Sequence, residues 1–385
     1  MRETYNTIRI IAETRGAKMD VPYVALAKQH KAIRRELLAA AGEVFDSGMF
    51  ILGDKVTEFE KKAAKLCGSR YAVGVNSGTD ALILALKVLG VGKGDEVITA
   101  PNSFLASASC AVAVGAVPKF VDSADDLNID PEKIEKAITK KTKAIIPVHL
   151  TGRPAQMERI MEIAREHDIA VVEDCAQAIN ASLNGKKVGS FGDCGAFSLH
   201  PLKNLNACGD AGFITTDDEG AYDTLRQLRN IGLKNRDESD VWGTNTRLDE
   251  LQAALLLVKL RHLPEWERGR RANAKYFYKR LNEAVDAPID ALGMKCVYHT
   301  YVVQADRRDA LAAHLAKRGV GSKIHYPIPI HMQKAAVQYG YRKGMFPVCE
   351  RQAGRILSIP VYPELTAAQR EFVADSVLDF YGGRK

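Results

Sequence analysis

The segment Ile169-Ala-Val-Val-Glu-Asp-Cys-Ala-Gln177 places two consecutive carboxylates directly after a short apolar run. The run Ile169–Val172 is apolar without alternation, which is typical of a strand buried on both faces by helices. Ligands of parallel α/β sheets gather outside the carboxyl ends of the strands. This segment therefore predicts a buried strand that ends in a carboxylate at a binding edge.

Similar short apolar runs alternate with helix-period segments from about residue 27 to residue 230, which predicts a mostly parallel sheet covered by helices on both sides. The large domain is therefore expected to be α/β. The other predicted strands are Tyr71–Val75, Glu96–Thr99, Lys119–Val121, Ala144–Val148, Ala196–Leu199 and Gly212–Thr215. The predicted helices are Ala27–Ser47, Val56–Cys67, Thr79–Leu89, Pro131–Ile138, Ala155–Glu166 and Asp218–Asn230.

The pattern changes after Arg247, where a long helical stretch, Leu248–Glu283, is expected to break or kink at Pro264. A strand, two shorter helices and a Pro-rich loop follow, which predicts a smaller α+β domain. The predicted strand is Val297–Gln304 and the predicted helices are Arg307–Arg318 and one from Thr366 towards Tyr381. The expected division is a flexible leader at residues 1–18, a large domain at 19–250 and a small domain at 251–385.

Composition narrows the class of protein. The 385 residues carry 54 Lys and Arg against 47 Asp and Glu, a net charge of +7 without a basic block, so a nucleic-acid partner is not expected. No apolar run is long enough for a membrane helix, and the amino-terminal residues are not expected to be a secretory signal. The seven cysteines lack a Cys-x-x-Cys pair, which favours free buried thiols, no metal site and a cytoplasmic location.

Two further loops carry chemistry at predicted strand ends. Small residues in Asn76-Ser-Gly-Thr-Asp80 open a helix, where free backbone N–H groups suit one phosphate. The alternative is a plain helix cap by Ser77 or Thr79. At the end of the strand Ile169–Val172, the adjacent carboxylates of Glu173 and Asp174 point to opposite sides of the strand, so only one can face the site. Asp174 is the predicted one.

The third loop, Ser198-Leu-His-Pro-Leu-Lys-Asn204, contains a lysine with apolar or small neighbours. A desolvated lysine is a nucleophile that can form a Schiff base, although a lone loop lysine is usually a solvated charge. Pyridoxal phosphate needs an anion cradle, an acid beside its ring nitrogen and an amine for its aldehyde. The phosphate loop, Asp174 and Lys203 would supply these three groups.

The ordered motifs resemble the DegT/DnrJ/EryC1/StrS family of sugar aminotransferases, which have the type I fold of pyridoxal phosphate enzymes. The similarity extends from about Val21 to the carboxyl terminus. Besides the three loops it includes Gly209-Asp-Ala-Gly212, Asn245-Thr-Arg-Leu-Asp-Glu-Leu-Gln-Ala-Ala254 and His325-Tyr-Pro-Ile-Pro329.

The resemblance implies a role for each matching residue. Lys203 would bind the cofactor covalently and then shuttle a proton, and Asp174 would keep the ring nitrogen protonated. Gln177 would hydrogen-bond the ring oxygen. The remaining residues implied by the resemblance are Gly78, Thr79 and Ser198 for the phosphate, Phe104 for the ring face, Asn245 for the phosphate of the neighbouring subunit's cofactor, and Arg247 and His325 for the substrate.

The expected activity is transfer of an amino group, from glutamate, to a nucleotide-linked keto-sugar by a homodimer with shared sites. Asn102-Ser103-Phe104 resembles members that act on 3-keto sugars. Arg153, where many relatives have an aromatic residue, leaves open a free keto-cyclitol or a keto-sugar phosphate as substrate. A non-catalytic regulator is the third alternative. Some relatives have histidine at the position of Lys203 and act as dehydratases, so the lysine favours transamination.

Overall fold

The computed structural model describes residues 19–382. Its centre is a seven-stranded sheet in the order β1-β9-β8-β5-β4-β2-β3. These strands are β1 (Tyr71–Val75), β2 (Glu96–Thr99), β3 (Val117–Phe120), β4 (Thr142–Ile146), β5 (Ala170–Asp174), β8 (Cys194–Ser198) and β9 (Gly212–Thr216). β9 is antiparallel to both of its neighbours, and the other pairs are parallel. The predicted α/β class is confirmed.

Helices cover both faces of this sheet and form separate apolar cores against it. The helices of this part of the chain are α1 (Leu26–Ala32), α2 (Arg34–Ser47), α3 (Asp54–Cys67), α4 (Gly78–Val88), α5 (Ala106–Ala113), α6 (Ile134–Ala137), α7 (Met157–Glu166), α8 (Glu219–Leu228) and α9 (Glu250–Leu281). Three short 3₁₀ or small-sheet elements lie between them: Pro131–Lys133, Leu150–Gly152 and the hairpin of β6 (Ser182–Leu183) and β7 (Lys186–Lys187).

The carboxyl-terminal part has an apolar core of its own, which also includes Val21 and the second half of α9. Its elements are β10 (Met294–Lys295), β11 (Tyr301–Gln304), α10 (Arg308–Arg318), the 3₁₀ turns Ile330–Met332 and Lys334–Tyr339, α11 (Pro347–Ala353), β12 (Ile356–Ile359) and α12 (Ala367–Phe380). The domain boundaries stay a prediction, and the leader at residues 1–18 lies outside the described residues. No helix among the described residues is long and apolar enough to cross a membrane.

Several predicted elements were wrong in their extent. α9 continues through Pro264 without the expected break, because the buried side chains of Leu263 and Trp266 hold both flanks against the core. The predicted helix Ala27–Ser47 divides at Ile33, which is buried beside Trp266. The predicted strand at 297–304 starts only at Tyr301, after a residue with left-handed backbone at Tyr298.

The start of α3 is held by a side chain from another helix. The backbone N–H groups of Gly53, Lys55 and Val56 donate to the buried carboxylate of Glu250, at 2.9, 2.6 and 3.2 Å. These groups have no partner within α3, because the first N–H groups of any helix are free. Glu250 therefore fixes the first turn of α9 to the start of α3.

We predict that Glu250→Ala lowers the free energy of unfolding by about 2–5 kcal/mol, because buried donors lose a charged acceptor. Urea denaturation followed by circular dichroism measures the change. The control is Glu43→Ala, which removes an exposed ion pair with Lys55 and should cost less than about 1 kcal/mol. Equal losses in the two variants would contradict this account of α3.

Candidate active site

A cavity of about 520 Å³ lies at the carboxyl edge of the parallel strands. It gathers side chains that are far apart in the sequence. Eight of the residues singled out from the sequence line it: Gly78, Thr79, Phe104, Asp174, Gln177, Ser198, Lys203 and His325. Because β9 runs in the opposite direction, its first residues also meet this edge, and Asp210 and Ala211 join the lining.

The turn after β1 opens α4 and forms one wall of the cavity. Ser77 is the helix cap, since its side chain accepts from the backbone N–H of Asp80 at 3.1 Å. Gly78 and Thr79 follow in the first turn, where backbone N–H groups are free to bind an anion. A Cβ on Gly78 would lie 2.6 Å from Cβ of Ser198, so the close approach of β8 requires glycine.

The two carboxylates at the end of β5 have different surroundings. Glu173 is fully buried on the side away from the cavity, and its oxygens accept from the backbone N–H groups of Gly189, Phe191 and Gly192 at 2.7–2.9 Å. Asp174 lines the cavity, where Oδ2 accepts from the Ser107 hydroxyl at 2.7 Å. Asp174 is therefore the carboxylate that faces the cavity.

The loop that carries Lys203 is anchored on both sides. Asn206 Nδ2 donates to the Lys203 carbonyl at 3.2 Å, and the buried Lys259 amine donates to the Asn206 carbonyl at 2.9 Å. On the other side, Asn204 Nδ2 donates to the carbonyl of Val297 at 3.0 Å. These bonds tie the loop to α9 and to the carboxyl-terminal part, so the lysine has a fixed position.

Burial changes the acid–base behaviour around this loop. It lowers the pKa of the Lys203 amine to about 8, against the opposing charge of Asp174. Burial also lowers the pKa of His325 to about 4, with a smaller contribution from Lys203, and holds the pKa of His299 far below its usual range. The cavity therefore contains neutral imidazoles and an amine that exchanges protons near neutral pH.

Gln177 and Phe104 also line the cavity. Gln177 Oε1 accepts from the Thr151 backbone at 2.6 Å, and Nε2 donates to the Tyr326 hydroxyl at 3.3 Å. The Phe104 ring is half exposed at the cavity, 5.8 Å from the ring of Tyr326. Both residues thus line the cavity, and their contacts with a cofactor ring stay predictions.

Asn245 and Arg247 do not line this cavity within the described chain. Asn245 is exposed, whereas the Arg247 guanidinium donates to Asn230 Oδ1 at 3.0 Å. Arg153 is also elsewhere, with an ion pair to Asp126 at 3.5 Å and a bond to the Ile289 carbonyl at 2.9 Å. Because these contacts occupy its guanidinium, Arg153 is a weaker candidate for binding the phosphate of a keto-sugar phosphate substrate.

Sequence reasoning missed three residues of the cavity region. Ser107, the partner of Asp174, lies in α5, whose sequence of small residues has no functional signature. His299 sits in a segment predicted as strand. Tyr326 directly follows His325 in the motif at 325–329, and this position could have identified it as a residue of the cavity.

Comparison with known proteins settles the family. The model of the DegT/DnrJ/EryC1/StrS aminotransferase family matches residues 31–378. The chain belongs to this family. It is 41% identical to a "Pleiotropic regulatory protein" of Geobacillus stearothermophilus, over 94% of this chain and 99% of that protein. It is 43% identical to a "UDP-N-acetyl-3-dehydro-alpha-D-glucosamine 3-aminotranferase" of Acidithiobacillus ferrooxidans, over 91% of this chain and 95% of that protein.

Solved structures agree with this assignment. The ketimine complex of DesV from S. venezuelae has a TM-score of 0.93 and 39% identity, covering 95% of this chain and all of that one. NtdA of Bacillus subtilis, solved with bound cofactor PMP, has a TM-score of 0.89 and 30% identity, and the match covers 97% of this chain and 87% of that one. The predicted family, fold class, aminotransferase activity and pyridoxal phosphate cofactor are confirmed.

Proposed function

We propose that this aminotransferase moves an amino group from glutamate to the keto group of a nucleotide-linked sugar, at carbon 3, in amino-sugar biosynthesis. The observation that carries the chemistry is the presence of the Lys203 amine and the Asp174 carboxylate in one cavity. The substrate class follows the relatives, since several are named for 3-amino or 3-oxo nucleotide sugars. Free thiols at all seven cysteines support a cytoplasmic location.

The residues of the cavity fit pyridoxal phosphate. The first turn of α4 approaches β8 so closely at Gly78 that backbone N–H groups and the Ser198 hydroxyl meet at one place, which suits the phosphate. Asp174 keeps its carboxylate in position through Ser107 and would face the pyridine nitrogen. Lys203 would bind the aldehyde carbon. The bound cofactor supplies an electron sink for the substrate carbon.

Proton transfer would then fall to Lys203. An amine with a pKa of about 8 can both accept and return a proton near neutral pH, which a solvated lysine does poorly. Asp174 would stabilise positive charge on the ring by its own negative charge. The neutral imidazole of His325, whose Nδ1 lies 2.8 Å from Ser358 Oγ, would contribute hydrogen bonds to the substrate without repelling a cation.

A test with different substrates and with glutamate distinguishes the other candidate functions from this one. A keto-cyclitol or a keto-sugar phosphate would be aminated in place of the nucleotide sugar. A regulator, as one relative is named, would leave the cofactor unchanged when glutamate is added. Lys203 and Asp174 favour the enzyme, because a protein that only binds needs neither a proton carrier nor a charged partner for the ring.

We predict that glutamate converts the cofactor of the wild-type protein and that Asp174→Asn slows this half-reaction about 10²–10⁴-fold, because the ring nitrogen loses its charged partner. Stopped-flow absorbance of the cofactor measures both rates. Asp210→Asn is the matched comparison, since Asp210 is a second, exposed carboxylate of the same cavity, and it should lose less than about tenfold. Equal rates for wild type and Asp174→Asn would contradict the assignment.

We also propose a homodimer whose active sites are shared. Exposed apolar side chains lie at residues 45–51, beside the start of α9, and in the loop that precedes α9: Phe45, Met49, Phe50, Ile51 and Trp242. The Phe50 carbonyl accepts from the Glu250 backbone, and Ile51 pairs with Asp249. Asn245 and Arg247 come only a few residues before Asp249 in the chain, so they lie near this surface. A second copy covering the patch would bring its own Asn245 and Arg247 near the cavity.

Subunit complementation tests the shared site. The Lys203→Ala protein is mixed with a protein that carries both Asn245→Ala and Arg247→Ala, and the two are allowed to exchange subunits. We predict that activity returns towards half of wild type per mixed dimer, because one of its two sites has both changes and the other has none. As a control, Asn235→Ala with Arg236→Ala, in an exposed loop, should be active alone. Exchange without recovery of activity would show that Asn245 and Arg247 act in their own chain.

A further inference from the structure

A second, smaller cavity adjoins the active-site cavity. Its volume is about 50 Å³, and Leu202, His299 and His325 line both cavities. The charge of the Lys203 amine contributes to the lowered pKa values of both His299 and His325, so this space begins near that amine. At roughly 15 Å³ for each water, it holds a few waters or one carboxylate group.

The smaller cavity contains a cation without an acidic partner. Arg270, on α9, lines it and donates through Nη1 to the carbonyls of Tyr298 and His299 at 3.3 and 3.2 Å. Arg271 pairs with Asp290 at 2.8 Å, but Arg270 forms no ion pair with a carboxylate among residues 19–382. Burial lowers the pKa of Arg270 to about 10, and the more distant charge of Glu364 offsets part of that cost.

Two other polar atoms at this cavity are buried and have no hydrogen-bond partner among residues 19–382. They are Nδ1 of His299 and Oγ1 of Thr300, both in residues that line the cavity. Buried polar atoms in native proteins nearly always have a hydrogen-bond partner, supplied by protein, water or ligand. The hydroxyl of Thr300 can donate, and so can a neutral imidazole from one nitrogen. Together with a guanidinium, these groups match the acceptors of a carboxylate.

We propose that the smaller cavity binds a carboxylate group of the amino donor, with Arg270 as the charged partner and Thr300 and His299 as hydrogen-bond donors. This inference rests on the proposed function, because it presumes an amino acid as the donor. The position beside Lys203 would place the amino group of the donor at the reactive end of the larger cavity. A space of about 50 Å³ does not admit a sugar ring, so the keto-sugar would stay in the larger cavity.

The half-reactions of the holoenzyme separate this role from a structural one. We expect Arg270→Gln to raise the glutamate concentration that gives the half-maximal rate about 10- to 100-fold. The limiting rate with glutamate should change less than about threefold. The rate at which the aminated enzyme reacts with keto-sugar should also change less than about threefold. Arg270→Lys should recover part of the affinity. Arg268→Gln, exposed on the same helix, is the control and should behave as wild type.

A second variant and a binding measurement cover the case in which Arg270→Gln fails to fold. Thr300→Val keeps the shape and removes only an unpaired hydroxyl, so it should fold normally and weaken glutamate several-fold. Calorimetry with glutarate, an unreactive dicarboxylate, measures binding to each holoenzyme directly. Glutarate should bind the wild type and compete with glutamate.

The results distinguish failure of the inference from failure of the proposed function. Glutamate and glutarate affinities equal to wild type in Arg270→Gln, or in Thr300→Val if the first variant does not fold, would show that the cavity holds only water and would overturn the inference. A wild type that does not react with glutamate would contradict the proposed donor. Loss of glutarate binding in Arg270→Gln would still support a carboxylate site in that case.

Discussion

The alternation of side chains at the end of β5 is the constraint on which the active site depends. Consecutive residues of a strand point to opposite faces, so Glu173 and Asp174 cannot both enter the cavity. The fold uses the Glu173 carboxylate as an acceptor for three backbone N–H groups of the loop before β8. Asp174 therefore faces the cavity, and the position of β8 beside it brings Ser198 and the loop of Lys203 to the same edge.

The strands and the main site residues could be predicted because they depend on local patterns. Short runs of buried Val, Ile and Ala mark the parallel strands, and the topology of such sheets brings their carboxyl ends together. Asp174 and Lys203 each come within a few residues after such a run, and both line the cavity. Gly78 has the same kind of position after β1, although its close approach to Ser198 is visible only in the structure.

The rest depends on contacts between distant segments, which no local pattern reveals. Ser107 meets Asp174 across 67 positions of sequence. The Arg270 guanidinium likewise meets the carbonyls of Tyr298 and His299 only because α9 packs against that segment. Pro264 misled the prediction because tertiary packing of its neighbours outweighs the loss of one helical hydrogen bond. The antiparallel direction of β9 is likewise a property of the sheet, since its apolar run resembles that of the parallel strands.

The proposed chemistry depends most directly on the buried amine of Lys203, as the group that would bind the cofactor. Borohydride reduction of the holoenzyme fixes the cofactor to that amine, and peptide mapping by mass spectrometry then locates it. The account predicts one modified peptide, carrying the adduct at Lys203, and no adduct in Lys203→Ala. An adduct on another lysine, such as the buried Lys259, or the absence of any adduct in the wild type would contradict the account.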